Sequence, residues 1–76
     1  VKLYPNPTSG LFTVAVENQE IQSLKVFNAM GQEVMSKVKV LAPSAKLYMS
    51  QQAEGMYWVK VETPNGTLTR KVMIKQ

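Results

Sequence analysis

Side chains able to do chemistry are scarce in this sequence, and those present lack the partners that chemistry needs. There is no cysteine and no histidine. Thiol nucleophiles, disulfide staples, zinc sites with Cys or His ligands and imidazole acid-base catalysis are therefore out of reach. The five acids are all glutamates, Glu17, Glu20, Glu33, Glu54 and Glu62, so calcium loops and paired-aspartate sites lose their usual ligands. Serine and threonine hydroxyls are plentiful but have no imidazole to activate them. A lysine-activated serine would need a cleft that 76 residues can hardly build. Five methionines stand singly along the chain, which suits gap-filling in a core better than metal binding. Composition thus predicts a non-enzyme with no cofactor, no metal and no small-molecule substrate.

Charge narrows the partners. Nine Lys and Arg against five Glu give a net charge of +4 and a pI near 9.6. A nucleic-acid surface would cluster its cations among exposed aromatics, yet here only Arg70 and Lys71 are adjacent, so no nucleic acid is expected. Residues 70–76 hold three positive charges and no acid, which makes the terminal segment the part best able to steer docking to an acidic partner. The chain opens on Val1, with no charged n-region before an apolar run and no stretch of the ~20 apolar residues a membrane helix needs. A single module, residues 1–76, belonging to a longer protein is the expectation.

The elements that would position these residues read as strands. Period-two alternation recurs between turn signals, the pattern of a half-buried sheet. Phe12, Val14 and Val16 alternate with Thr13, Ala15 and Glu17; Leu24 and Val26 flank Lys25; Val34, Val38 and Val40 lie opposite Lys37 and Lys39. Tyr57, Val59 and Val61 are expected inward, with Trp58, Lys60 and Glu62 outward, and Leu68, Val72 and Ile74 share a face in the last strand. Residues 1–4 and 46–50 are weaker strand candidates. Asn28-Ala29-Met30-Gly31 suits a tight reversal, with Gly31 in the left-handed region. Thr63-Pro64-Asn65-Gly66 is a strong hairpin signal joining the last two strands. The two prolines Pro5 and Pro7 remove two amide donors, so residues 4–10 are expected as an extended lead-in and turn, with Asn6 bracing it through its amide. Gly31, Gly55 and Gly66 are expected to serve backbone geometry. About seven short strands predict an all-β, immunoglobulin-like antiparallel β-sandwich.

These punctuated strands, in order, resemble the C-terminal sorting domain of the type IX secretion system, in its type A form, found in Bacteroidetes. Tyr4-Pro5-Asn6-Pro7-Thr8-Ser9-Gly10 is similar to the opening motif of that family. Leu24-Lys25-Val26-Phe27-Asn28-Ala29-Met30-Gly31-Gln32-Glu33-Val34 resembles its central strand, glycine turn and strand. Glu54-Gly55-Met56-Tyr57-Trp58-Val59-Lys60-Val61 resembles its Gly-x-Tyr-x-x-Lys-Val block, and the segment from Gly66 to the closing Lys75-Gln76 fits its terminal strand. One departure is Tyr48-Met49-Ser50-Gln51-Gln52, where the family has an Asp-Leu-Ser-x-Leu-like run; Gln52 stands at a usually apolar position, which predicts a more loosely packed loop.

The resemblance implies an address label. Such domains are read in the periplasm, guide cargo through the outer-membrane translocon with its shuttle components, and are commonly removed by a surface sortase as cargo is anchored at the cell surface or released. With no reactive groups, recognition must rest on shape, strand edges and the chain terminus. The final strand is the expected contact: Arg70, Lys71, Lys75 and Gln76 toward the machinery, with Val72 and Ile74 holding register. Removing the last five residues is expected to leave a soluble but unsorted cargo. Exposed strand edges would also allow a weak edge-paired dimer. The alternative class is a carbohydrate-binding or adhesive sandwich, which would need a row of exposed aromatics; Trp58 and Tyr48 are the candidates outside the core.

Overall fold

In the computed structural model, which describes residues 1–5 and 7–75, seven strands follow one another without a helix: β1 (Lys2–Tyr4), β2 (Leu11–Ala15), β3 (Ile21–Asn28), β4 (Glu33–Ala42), β5 (Ser44–Tyr48), β6 (Gly55–Thr63) and β7 (Gly66–Ile74). They form two antiparallel sheets, β1-β2-β5 and β4-β3-β6-β7. The chain crosses between the sheets three times: from β2 to β3, from β4 through Pro43 to β5, and from β5 to β6. This is the immunoglobulin-like arrangement expected from the strand count. Both weaker strand candidates are present, as β1 and β5.

The alternation explains which faces meet. Phe12, Val14 and Leu47 from one sheet face Leu24, Val26, Val59, Val61, Val72 and Ile74 from the other, all fully buried. Each such side chain contributes roughly 1.5–3 kcal/mol by leaving water. Tyr57 joins them, and its hydroxyl donates to the Ala53 carbonyl at 2.6 Å. Trp58, on the outer side, is 41% exposed.

One strand departs from simple alternation. Between Ile21↔Ala42 and Ser23↔Val38, β4 advances four residues while β3 advances two, and between Val26↔Met35 and Phe27↔Glu33 it advances two against one. Lys39 and Leu41 take positive φ in the first of these bulges. The first irregularity inserts two residues and the second one, and together they break the simple alternation of the strand. Val34, Met35 and Val40 lean on the core, while Val38, expected on the same side as Val34 and Val40, is 73% exposed. The bulges also disrupt the edge against pairing with another chain.

The turns follow their residues. Gly31 (φ 84) closes the β3–β4 reversal, where its N–H donates to the Asn28 carbonyl and the Asn28 side-chain oxygen accepts from Met30 and Gln32 N–H. In the β6–β7 hairpin Thr63 faces Gly66 across Pro64-Asn65, and the positive φ falls on Gly66 alone of the Asn-Gly pair.

Both sides of the sandwich are laced shut. On one, Lys37 sits opposite the buried Leu24 and its ammonium donates to the Lys46 carbonyl of β5 at 3.1 Å. On the other, Thr8 forms a parallel bridge with Ile74: its N–H donates to Met73, and its carbonyl accepts from Lys75 N–H. The buried Thr8 hydroxyl donates to the Leu11 carbonyl and accepts from Gly10 N–H. Thr8→Val keeps the shape but strands both backbone groups. It is expected to cost about 1–3 kcal/mol in urea unfolding, and an unchanged denaturation midpoint would contradict this account of the strap.

Candidate functional site

Segments far apart in sequence meet at one end of the sandwich. In the β6–β7 ladder Gly55 faces Ile74, and in the β3–β6 ladder Asn28 faces Tyr57. The start of β6, the end of β7 and the β3–β4 turn therefore share that end, and Thr8 brings the proline lead-in to it. Two open hollows lie there. One, of about 610 Å³, is lined by Pro7, Glu54, Gly55, Met73, Ile74 and Lys75. The other, of about 400 Å³, runs from Asn28, Ala29 and Met30 to Ala53, Glu54, Gly55, Met56 and Tyr57. Glu54 and Gly55 belong to both. All four sequence blocks thus contribute to one continuous surface.

The residues expected to form the contact are not one patch. Val72 and Ile74 are core, so they hold the strand and offer no side chain to a partner. Lys71 faces outward, its ammonium 5.8 Å from the centre of the Trp58 ring, at the outer range of a cation–π contact. Arg70 alternates with Lys71, opposite Val59, and its guanidinium donates to the adjacent Thr69 carbonyl at 3.0 Å. Lys75 is exposed and lines the larger hollow. Gln76, and Asn6 with its bracing role, lie outside the described residues.

The outermost strand is also less bare than its position suggests. β7 is the edge of its sheet, yet Thr8 occupies the main-chain groups of Met73 and Lys75, and Arg70 takes the Thr69 carbonyl. Edge strands are commonly guarded in this way. Thr8 was not singled out by the sequence, because its role needs Ile74 beside it.

The remaining expected positions fall elsewhere. Gly66 closes the hairpin at the opposite end, and Pro5 follows β1 outside both hollows. Gly10 sits against the 48–52 loop, whose Met49 is buried and whose Met49 N–H donates to the Gly10 carbonyl at 2.6 Å. In that loop Met49 fills the core, Tyr48, Ser50 and Gln51 are exposed, and the half-buried Gln52 closes the turn through its N–H to the Met49 carbonyl. Tyr4 was overlooked as an exposed aromatic. Its parity with Lys2, opposite Leu3, is the signal that would have found it. Among the described residues no three acidic, His or Cys side chains gather as a metal site.

Comparison with known proteins agrees with the order of these blocks. The family model described as the secretion system C-terminal sorting domain matches residues 2–75. Beta-agarase A of Zobellia galactanivorans is 36% identical over 72 residues, covering 93% of this chain and 13% of that protein. The chain thus spans a small part of its curated relative. With the family's opening, turn, Gly-x-Tyr and terminal blocks on a seven-stranded sandwich, the chain belongs to the C-terminal sorting domains of type IX secretion.

Proposed function

We propose that this chain is the address label of a longer cargo protein, that it carries no catalysis of its own, and that the blocks meeting around Glu54 and Gly55 are what the secretion machinery reads. The observation supporting this most directly is the convergence of the proline lead-in, the glycine turn, the Gly-x-Tyr block and the terminal strand on one end of the sandwich. The cargo crosses the periplasm, passes the outer-membrane translocon with shuttle components, and reaches the cell surface or the medium. A surface sortase removes the label. On this reading Lys71 and Lys75 make the charged contacts with the machinery, and Arg70 uncovers the β7 edge when a partner strand arrives.

The test is fusion of residues 1–76 to a periplasmic reporter in a host with this pathway, scored for surface arrival. The same fusion carries Lys71→Glu with Lys75→Glu. Both side chains are exposed, and loss of the Lys71–Trp58 contact is expected to cost no more than about 1 kcal/mol, so the domain stays folded while surface delivery falls severalfold. A folded double variant delivered at the parental level would refute the charged contact. Retention of the unaltered fusion in the periplasm would refute the label itself.

The adhesive alternative gains Tyr4 on the same face as Tyr48, but Leu11 stands between them and Trp58 lies on the other sheet. A glycan array binding the chain would favour that alternative.

A further inference from the structure

The two outer faces of the sandwich differ. On the β4-β3-β6-β7 sheet, Trp58 has Lys71 over its ring and Glu62 stands four residues further along the same side of β6. The β1-β2-β5 sheet carries no acid in any of its three strands. Its outward positions alternate with Leu3, Phe12, Val14 and Leu47 and include three large side chains well exposed to water: Tyr4 at 51%, Leu11 at 48% and Tyr48 at 64%.

These three adjoin. Leu11 is directly opposite Tyr48, and Tyr4, opposite Thr13, is diagonal to Leu11. Such pairs have Cβ atoms roughly 5 Å and 7–8 Å apart, within reach of aromatic rings. A leucine on the central strand of a sheet, between two exposed tyrosines, leaves about half of its surface in water; contiguous exposed apolar ground marks an interaction surface. Lys2 stands two residues before Tyr4 on the same side of β1, and Lys46 two before Tyr48 on β5. The Lys37 ammonium lies along the same edge, on the Lys46 carbonyl.

We propose that the outer face of the β1-β2-β5 sheet, centred on Tyr4, Leu11 and Tyr48 and flanked by Lys2 and Lys46, with the Lys37 ammonium at the β5 edge, docks an acidic protein segment with apolar side chains between its carboxylates. Charge complementarity selects this occupant. A second copy of the face would oppose its lysines with lysines, which is repulsive. The apolar centre supplies affinity, and the flanking lysines supply orientation and rate. This surface shares no residue with the linings of the Glu54–Gly55 hollows, so it stands or falls independently of the sorting reading.

The experiment is an NMR titration of the isotope-labelled chain with a short peptide alternating Glu and Leu. A Lys-Leu peptide and anionic phospholipid vesicles serve as comparisons. The acidic peptide is expected to shift Tyr4, Leu11, Tyr48 and Lys46 selectively, and to bind less tightly as salt rises. Tyr48→Ala is expected to weaken binding by at least about tenfold, and Lys46→Glu by severalfold, with melting unchanged because both side chains are exposed. Shifts confined to the other sheet, equal response to the Lys-Leu peptide, saturation of these residues by vesicles alone, or shifts produced by raising the chain's own concentration would each overturn the proposal.

Discussion

Gly10→Ala is expected to destabilise the domain by about 3 kcal/mol or more, among the largest effects available to a single methyl group. Two costs add. Gly10 holds φ at +125, a region that side-chain-bearing residues occupy at a cost of about 1–3 kcal/mol. The new Cβ would also lie 2.5 Å from Ser50 Cα, 2.7 Å from Ser50 N and 3.1 Å from the Met49 carbonyl carbon. All three are backbone atoms, so no rotamer change relieves the overlap. Met49 is buried on one side of that backbone, which leaves the loop no room to retreat without dragging a core side chain. A 76-residue domain has a total stability of roughly 4–11 kcal/mol, and each kcal/mol is worth about 4–8 °C at this size. The melting temperature should therefore fall by about 12 °C or more. Gly31→Ala is the matched control: its φ is also positive, at +84, but no atom lies within 4 Å of the added Cβ. It should cost only about 1 kcal/mol. Equal melting of the two variants would sink the close-approach explanation.

Deletion of residues 72–76 is expected to unfold the domain. Val72 and Ile74 are fully buried, and losing both removes roughly 3–6 kcal/mol of burial. The deletion also strips Thr8 of the Met73 and Lys75 groups it bonds, opening the side of the sandwich that the lead-in closes. The sum is comparable to the whole stability of a domain this size. Circular dichroism should show no cooperative melt at any temperature. A cooperative transition near the parental one would mean the terminal strand is dispensable to the fold. The outcome bears on how the sorting signal is dissected: a tail-deleted cargo that stays in the periplasm reports a lost fold as readily as a lost contact. Lys71→Glu with Lys75→Glu separates the two, because it changes the surface and leaves the core strand in place.

Much of this architecture was legible in the order of residues. Alternation in β2, β6 and β7 predicts which side chains are buried, because a strand's two faces are set by its own pleat. The β3–β4 reversal and the β6–β7 hairpin were legible for the same reason, their turn residues acting within four positions. The grouping of strands into sheets, the parity of β4 and the setting of Thr8 were not. Each bulge in β4 exists only relative to its pairing with β3, so Val38 has the pattern of a core residue and the position of a surface one. Thr8 becomes a strap only when Ile74, distant in the chain, lies beside it. Likewise the four motif blocks are separate words in the sequence, and only the packing of two sheets gathers them around Glu54 and Gly55. Local periodicity is encoded residue by residue; adjacency between strands arises from closing long loops to bury a shared core, which no short window of sequence contains.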